Sequence, residues 1–264
     1  MPIHFVAIDD ENQVLALMSE YYMELLAPVD GMWETLHYVN ATGFLLKTDG
    51  TDVAFCKIND KKQLLVLYTF SAHEEKTDEI VDALISQKKI KSAKMASSHP
   101  ASFNACLWRA KSVKADTLLY GHSGDKVEPV LNSNQRFVVA QYADFDTAQQ
   151  FFLEQVNFND EFGYTDHLIS RSELFFLYES DQLVATGECR LSDTQNDYAD
   201  VGMIVHKKKR GKGLATLVLK LLIDNARKKK RLPICSTTAD NLPAQQAIKK
   251  AGFVSVYRIY EMFF

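Results

Sequence analysis

Apolar positions along the chain follow two spacings, and the spacings recur in the same order twice. Gly43–Thr48 (GFLLKT), Val53–Ile58 (VAFCKI) and Gln63–Phe70 (QLLVLYTF) are short apolar runs that read as strands. Thr77–Ser86 (TDEIVDALIS) places apolar residues at 80, 81, 84 and 85, which is helical spacing, with Thr77 and Glu79 as an N-terminal signal. A strand over Lys94–Ser97, a short helix from His99-Pro100 to Arg109 and a strand over Ala115–Gly121 complete the first set. The second set begins with strands at Glu173–Tyr178 (ELFFLY), Gln182–Leu191 (QLVATGECRL) and Tyr198–Val205 (YADVGMIV). A helix over Leu214–Arg227, a strand over Pro233–Thr237, a helix over Leu242–Lys250 and one or two strands in Phe253–Phe264 follow. The offset between the sets is roughly 130–140 residues, so an internal duplication is expected, in pattern more than in identity.

The Leu214–Arg227 helix is apolar at 214, 217, 218, 221 and 222, and again at 219, 223 and 226. Only Lys220, Asp224 and Arg227 form a polar stripe, as in a helix packed on a central sheet. Strands alternating with helices predict mixed α/β layers. Gly121–Gln135 (GHSGDKVEPVLNSNQ) is rich in turn residues and is the expected linker, giving domains 1–125 and 126–264.

Composition narrows the function. With 264 residues, 47% apolar and 24% charged, the chain is globular and long enough for two small domains. Thirty Lys and Arg against 34 Asp and Glu leave a net charge of −4, which argues against a nucleic-acid coat; an anion site must come from local clustering. The four cysteines (Cys56, Cys106, Cys189, Cys235) lie far apart, with no C-x-x-C and no cysteine–histidine set at zinc spacing. Reduced thiols in a cytoplasmic protein, and no metal, are the expectation. MPIHFVAIDDE has no basic start and turns acidic by Asp9, unlike a signal peptide. The most apolar helical stretch, Leu214 to Ile223, is broken by Lys220 and falls short of the ~20 residues of a membrane span.

Chemistry concentrates after residue 205. Val205-His206-Lys207-Lys208-Lys209-Arg210-Gly211-Lys212-Gly213-Leu214-Ala215-Thr216 follows a strand and opens a helix, and five of the six residues from Lys207 to Lys212 are basic. Gly211 and Gly213 leave the backbone bare, and a helix start offers unpaired N–H groups and a favourable dipole. A phosphate or pyrophosphate site is the expectation. The bland alternative is a solvated basic turn. The G-x-x-x-x-G-K-[ST] phosphate loop is absent, and Thr216 stands where the dinucleotide fingerprint needs its last glycine.

Arg210-Gly211-Lys212-Gly213-Leu214-Ala215 matches the [QR]-x-x-G-x-[GA] signature and resembles the GNAT superfamily of acyl-CoA N-acyltransferases. ADVGMIV upstream resembles that family's fourth strand; Asn241-Leu242-Pro243-Ala244 and Ala251-Gly252-Phe253 resemble its N-x-x-A…GF segment. The resemblance covers about residues 137–264, while the first half shares only the order of elements. It implies two tandem GNAT-like units, each a mixed, mostly antiparallel sheet flanked by helices, the first a degenerate copy. It further implies acetyl-CoA as cosubstrate and transfer of the acetyl group to a primary amine, small-molecule or peptide, by direct attack. Arg210, Gly211, Lys212, Gly213, Leu214, Ala215 and Thr216 would hold the pyrophosphate. Met203, Ile204 and Val205 would contact pantetheine, with an N–H at or beside Val205 on the thioester oxygen. Asn241 would reach the pantetheine from the other side, a role compatible with capping the helix at Leu242.

One position departs from the family: Ile248 stands where a tyrosine often serves as acid to the leaving thiolate, with Tyr257 or Tyr260 as substitutes. An amine of pKa about 10.4 needs help to lose its proton at neutral pH, and Asp200, Glu188 and then His206 are the candidate bases. Asp200 and Gly202 share one face of their strand. In the first half, Ser71-Ala72-His73-Glu74-Glu75-Lys76 occupies the place of the glycine loop, with no glycine and two carboxylates, so one cofactor site per chain is expected. Lys228–Arg231 is read as a helix C-terminus, and Phe151, Phe152, Phe158 and Phe162 as a core stripe ahead of an acceptor pocket. The rival readings are a CoA-binding sensor on the same fold and a nucleic-acid binder using the basic loop.

Overall fold

A computed structural model of the chain describes residues 2–122, 124 and 128–264. The first elements are β1 (His4–Ala7), α1 (Glu11–Met23), a π-helix (Trp33–Tyr38), β2 (Thr42–Thr48), β3 (Thr51–Ile58), β4 (Gln63–Thr69), α2 (Thr77–Ser86), β5 (Ser92–Ala96), α3 (Pro100–Arg109) and β6 (Ser112–His122). Then come β7 (Gln135–Val139), α4 (Phe145–Val156), α5 (Tyr164–Ser170), β8 (Leu174–Glu179), β9 (Gln182–Leu191), β10 (Tyr198–Val205), α6 (Leu214–Lys228), β11 (Leu232–Thr238), α7 (Leu242–Lys250) and β12 (Phe253–Phe263). Two units result: Met1–Leu119 together with Ser255–Phe264, and Tyr120–Val254. The boundary expected between 125 and 126 lies outside the described residues. Ser255–Phe264 joins the first unit because β12 pairs antiparallel with β5, Ile259–Phe263 lying against Ser92–Ala96.

In the first unit β1, β2, β3 and β4 pair antiparallel in sequence, and β5 pairs parallel to β4. Alternating side chains fill two cores, one on each face. Ile80, Val81 and Leu84 of α2 and Ala105 and Cys106 of α3 pack with Leu46, Leu64 and Leu67 on one side. Met18 and Tyr21 of α1, with Trp33 and Tyr38, pack with Phe55 and Leu65 on the other. The second unit repeats the plan: β7, β8, β9 and β10 pair antiparallel, and β11 pairs parallel to β10. Here α6 lies so close to β9 that a Cβ on Gly187 would come 2.8 Å from Val218 Cγ1, so only glycine fits beneath it. The other face carries α4 and α5, with Phe151, Phe152, Leu168 and Ile169 in its core.

The elements read from spacing are found at nearly the expected places, and α2, β9, β10 and α7 at the expected ends. The Thr77 signal works differently: its hydroxyl bonds Glu74 C=O (2.8 Å) and Thr69 Oγ1 (3.0 Å), while the cap position is Lys76 with no side-chain bond. β1, α1 and β7 carry no clear spacing, since α1 buries only Met18 and Tyr21. All four cysteines are buried free thiols. Among the described residues no helix is long and apolar enough to cross a membrane.

His99 gives the first unit a pH dependence of known sign. It is buried at the start of α3, beside Tyr21 with ring centroids 5.2 Å apart, and burial lowers its pKa from 6.5 to about 4. Between those values the unfolded chain binds a proton that the folded chain does not, so stability falls as pH drops. The loss from this one group is about 3 kcal/mol from pH 7 to pH 4. In denaturant titrations the stability gap between wild type and His99→Gln is expected to move toward the variant by that amount on acidification. A gap that stays constant with pH would contradict this.

Candidate active site

The loop after β10 is built by the chain around it. His206 starts a turn over Lys207–Lys209, its Nδ1 accepting the Lys208 N–H (3.2 Å). Gln155, buried at the end of α4, accepts the Lys207 N–H on its side chain (2.8 Å) and Arg210 Nη2 on its carbonyl (3.0 Å). Arg210 Nε also bonds the Val205 carbonyl (3.2 Å), so its guanidinium ties α4 to the end of β10. Lys209 pairs with Glu179 (2.6 Å), and this hydrogen bond holds the Glu179 carboxyl below its usual range. Lys207, Lys208 and Lys212 stay exposed, and the Lys212 charge also acts on Glu179.

Gly211 and Gly213 both adopt left-handed backbone, φ 78° and 81°, a conformation that costs other residues about 1–2 kcal/mol. Gly213 is the N-cap of α6 and brings no side-chain cap. The helix ladder opens with Leu217 N–H to Gly213 C=O (3.0 Å), so the N–H groups of Leu214, Ala215 and Thr216 lie ahead of it. A Cβ on either glycine would meet nothing within 4 Å, so the turn faces open space. Leu214 is itself core, and the Thr216 hydroxyl turns to Ala247 of α7 (3.4 Å).

Beside this turn, β10 has an open edge. Its parallel pairing with β11 covers only Tyr198, Ala199 and Asp200. On the other side β10 pairs with β9 through to Val205, and His206 N–H continues that ladder to Val184 C=O (3.0 Å). Antiparallel strands alternate, so even residues give their main-chain groups to β9 and odd residues turn theirs away. Met203 and Val205 therefore present N–H groups at the edge that β11 has left. Ile204 does not: its main-chain groups go to β9 and its side chain packs in the α4–α5 core. Asn241 caps α7, its Oδ1 accepting the Ala244 N–H (3.3 Å).

On the α5 face of the same strands lies a polar cluster. Glu188 stands opposite Gly202, and Arg190 opposite Asp200. Asp200 Oδ2 accepts from Arg190 Nη2 (2.6 Å), an ion pair with Asp200 3% exposed. Glu188 Oε2 accepts the Tyr164 hydroxyl (2.6 Å) and lies 3.5 Å from Arg190 Nη1, which also donates to the Tyr164 oxygen (2.7 Å). Burial, then the Glu188 charge, pushes the Tyr164 hydroxyl well above its ordinary range. Both acids named from sequence thus meet in one cluster, while His206 serves as a turn cap away from it. Tyr164, Arg190 and Gln155 were not legible. Arg190 had a signal in retrospect, two residues beyond Glu188 on the same strand face; Tyr164 and Gln155 had none.

Ile248 is buried (2% exposed), a packing residue of α7. Tyr257 and Tyr260 pack into the two cores of the first unit. Phe151 and Phe152 are core, Phe158 half-buried, and Phe162 84% exposed. Lys228 ends α6 in an i,i+4 pair with Asp224 (2.7 Å). In the first unit the corresponding edge is occupied from within. β4 and β5 pair only at Gln63 and Leu64, and beyond them the Leu67 carbonyl accepts the Ser102 hydroxyl (2.5 Å). Ser71–Lys76 is a 3₁₀ segment kinked at His73 whose last turn leads into α2. No group of three or more His, Cys, Asp or Glu suited to a metal occurs among the described residues.

Comparison with known proteins agrees with this architecture. Residues 10–123 match a family model described as an acetyltransferase (GNAT) domain, and residues 139–253 one described as the acetyltransferase (GNAT) family. Among solved structures, an acetyltransferase from the GNAT family from Colwellia psychrerythraea is 30% identical, with TM-score 0.91 over 99% of both chains. A GCN5-related N-acetyltransferase from Sphaerobacter thermophilus shares the fold at 13% identity and TM-score 0.70, over 98% of this chain and 94% of that one. A tandem GNAT protein from the clavulanic acid biosynthesis pathway does so at 13% identity and TM-score 0.60, over 98% and 97%. No curated protein sequence matches the chain. A glycine-turned helix start beside an open strand edge, in a unit built twice, is thus accounted for by descent: the chain belongs to the GNAT acetyltransferase family and carries a GNAT domain in each half.

Proposed function

We propose that the second unit takes acetyl-CoA and passes its acetyl group to a primary amine by direct attack of the amine nitrogen. The observation that carries this reading is the meeting of the open β10 edge with the uncapped, glycine-turned start of α6. Coenzyme A has two parts with matching needs. Its diphosphate seeks N–H groups and positive charge, which Gly211 to Thr216 and the exposed Lys207, Lys208 and Lys212 provide. Its pantetheine arm carries amides that can pair with a free strand edge, which Met203 and Val205 provide. Arg210 contributes through its backbone, since its guanidinium is bound to Val205 and Gln155. Asn241 reaches the arm with the amide NH₂ that capping leaves over.

The thioester supplies an activated acyl carbon whose oxygen gains negative charge as the amine adds. Val205 N–H, turned to the open edge, is placed to stabilise that oxygen. The amine must first be neutral, and at pH 7 only about one lysine-type amine in two thousand or so is. Glu188 takes the proton. Asp200 is the weaker base, because its carboxylate is already neutralised by Arg190 at 2.6 Å. With Ile248 in the place of an acid, the thiolate leaves unassisted, which a thiol of pKa about 8.5 tolerates. One cofactor site per chain follows, as Ser102 and the Ser71–Lys76 turn occupy the equivalent places in the first unit.

Two outcomes test this reading. Calorimetry with acetyl-CoA is expected to show binding to wild type and at least about tenfold weaker binding to Gly213→Glu, which adds strain and a negative charge at the turn. Equal affinity would contradict the assigned turn. In a thiol-release assay across a panel of amines, Glu188→Gln is expected to lose the acidic limb of the pH–rate profile, and Asp200→Asn to keep one. The reverse pattern would make Asp200 the base.

A further inference from the structure

Glu188 does not stand alone, and its neighbours decide what kind of base it is. On the adjoining strands the residues in register with it are Leu174 and Gly202, neither of which titrates. From α4 the core receives Phe151 and Phe152. The titratable and charged neighbours are Tyr164 from α5, Arg190 from β9 and Asp200 from β10.

Their hydrogen bonds have a fixed direction. A guanidinium only donates and a carboxylate only accepts. The Tyr164 oxygen accepts from Arg190 Nη1, so its proton goes to Glu188 Oε2. Tyr164 is itself held: the Asp160 carboxylate accepts the N–H groups of Phe162, Tyr164 and Thr165 (3.3, 2.8 and 2.6 Å) and fixes the start of α5. The Tyr164 ring meets Phe158 edge to face at 5.8 Å. With Oε2 tied to Tyr164, Glu188 Oε1 has no hydrogen bond among the described residues and is the oxygen left for an incoming amine. Arg190 is shared unequally: Nη2 sits 2.6 Å from Asp200, while Nη1 is 3.5 Å from Glu188.

We infer that Tyr164, Arg190 and Asp200 are positioning residues for Glu188: Tyr164 orients the carboxylate by donating to Oε2, and Asp200 competes with it for the Arg190 charge. The inference rests on the reading of Glu188 as proton acceptor. Its two arms have opposite signs. Removing the Tyr164 hydroxyl removes a donor to the carboxylate, so Glu188 should protonate at higher pH. Neutralising Asp200 leaves Glu188 the main anion for Arg190, so Glu188 should protonate at lower pH.

The test is a carbon-13 titration of the glutamate side chains, with the Glu188 signal assigned by its loss in Glu188→Gln, in wild type, Tyr164→Phe and Asp200→Asn. The expected result is a rise of about one pH unit in Tyr164→Phe and a fall of about one in Asp200→Asn. Both variants keep the shape of the residue replaced, and Arg190→Lys, which keeps the charge and loses the two-pronged geometry, gives a further measurement. No shift, or shifts of the same sign, would overturn the inference. The acidic limb of kcat/KM with a reactive amine should move with the titration, about tenfold in rate per unit at low pH. Titrations that shift as expected while Glu188→Gln keeps its acidic limb would instead overturn the proton-acceptor reading, leaving the poising of the carboxylate intact.

Discussion

The structure of the second unit turns on one early parting of strands. A buried strand satisfies its main-chain groups on both edges. β10 does so against β9 along its whole length, but against β11 for three residues only. What remains is a short run of main-chain N–H groups, those of Met203 and Val205, turned to the open edge, while the Val205 carbonyl goes to Arg210 Nε. A few residues later the chain turns through two left-handed glycines into a helix whose first N–H groups also lack partners within it. Neither deficiency is a flaw of packing. α6 is anchored by Leu214, Val218 and Leu222, and the turn is fixed by Gln155 and Arg210. The unit places unmet hydrogen-bonding capacity on a rigid frame, which is what recognition of an amide-bearing, phosphorylated carrier calls for.

The first unit shows how the same plan closes. It has the same run of antiparallel strands, the same parallel strand and the same brief pairing before the strands part. There, a serine from α3 satisfies the Leu67 carbonyl, and a 3₁₀ segment bearing Glu74 and Glu75, kinked at His73, leads into α2. Both changes remove capacity for an anion or an amide at the edge. In the proposed function the division of labour between the halves follows from a hydroxyl and a few turn residues, with no change of topology.

Much of this could be read from the sequence because it depends on local rules. Strand and helix spacing located most elements, and glycines among lysines ahead of an apolar helix located the turn. What escaped depended on distant contacts. Gln155 is one polar residue in an amphipathic helix, and only the fold brings it under Lys207 and Arg210. Tyr164 follows a loop with no motif, 24 residues from Glu188. Ile204 sits within the motif strand, yet strand alternation turns its main chain to β9 and its side chain packs in the α4–α5 core. The chain's last strand followed the second set of elements in sequence and yet belongs to the first unit, because pairing with β5 is a long-range choice.

Amide hydrogen exchange on the full chain, with and without coenzyme A, tests the central claim most directly, since it reads the main-chain groups themselves. The account predicts that Met203 and Val205 of β10 and Leu214, Ala215 and Thr216 of α6 gain protection together, by about tenfold or more at saturating coenzyme. Ser71–Lys76 and the β4 edge should stay unchanged. Unaltered exchange at the β10 edge and the α6 start, or protection confined to the first unit, would contradict it.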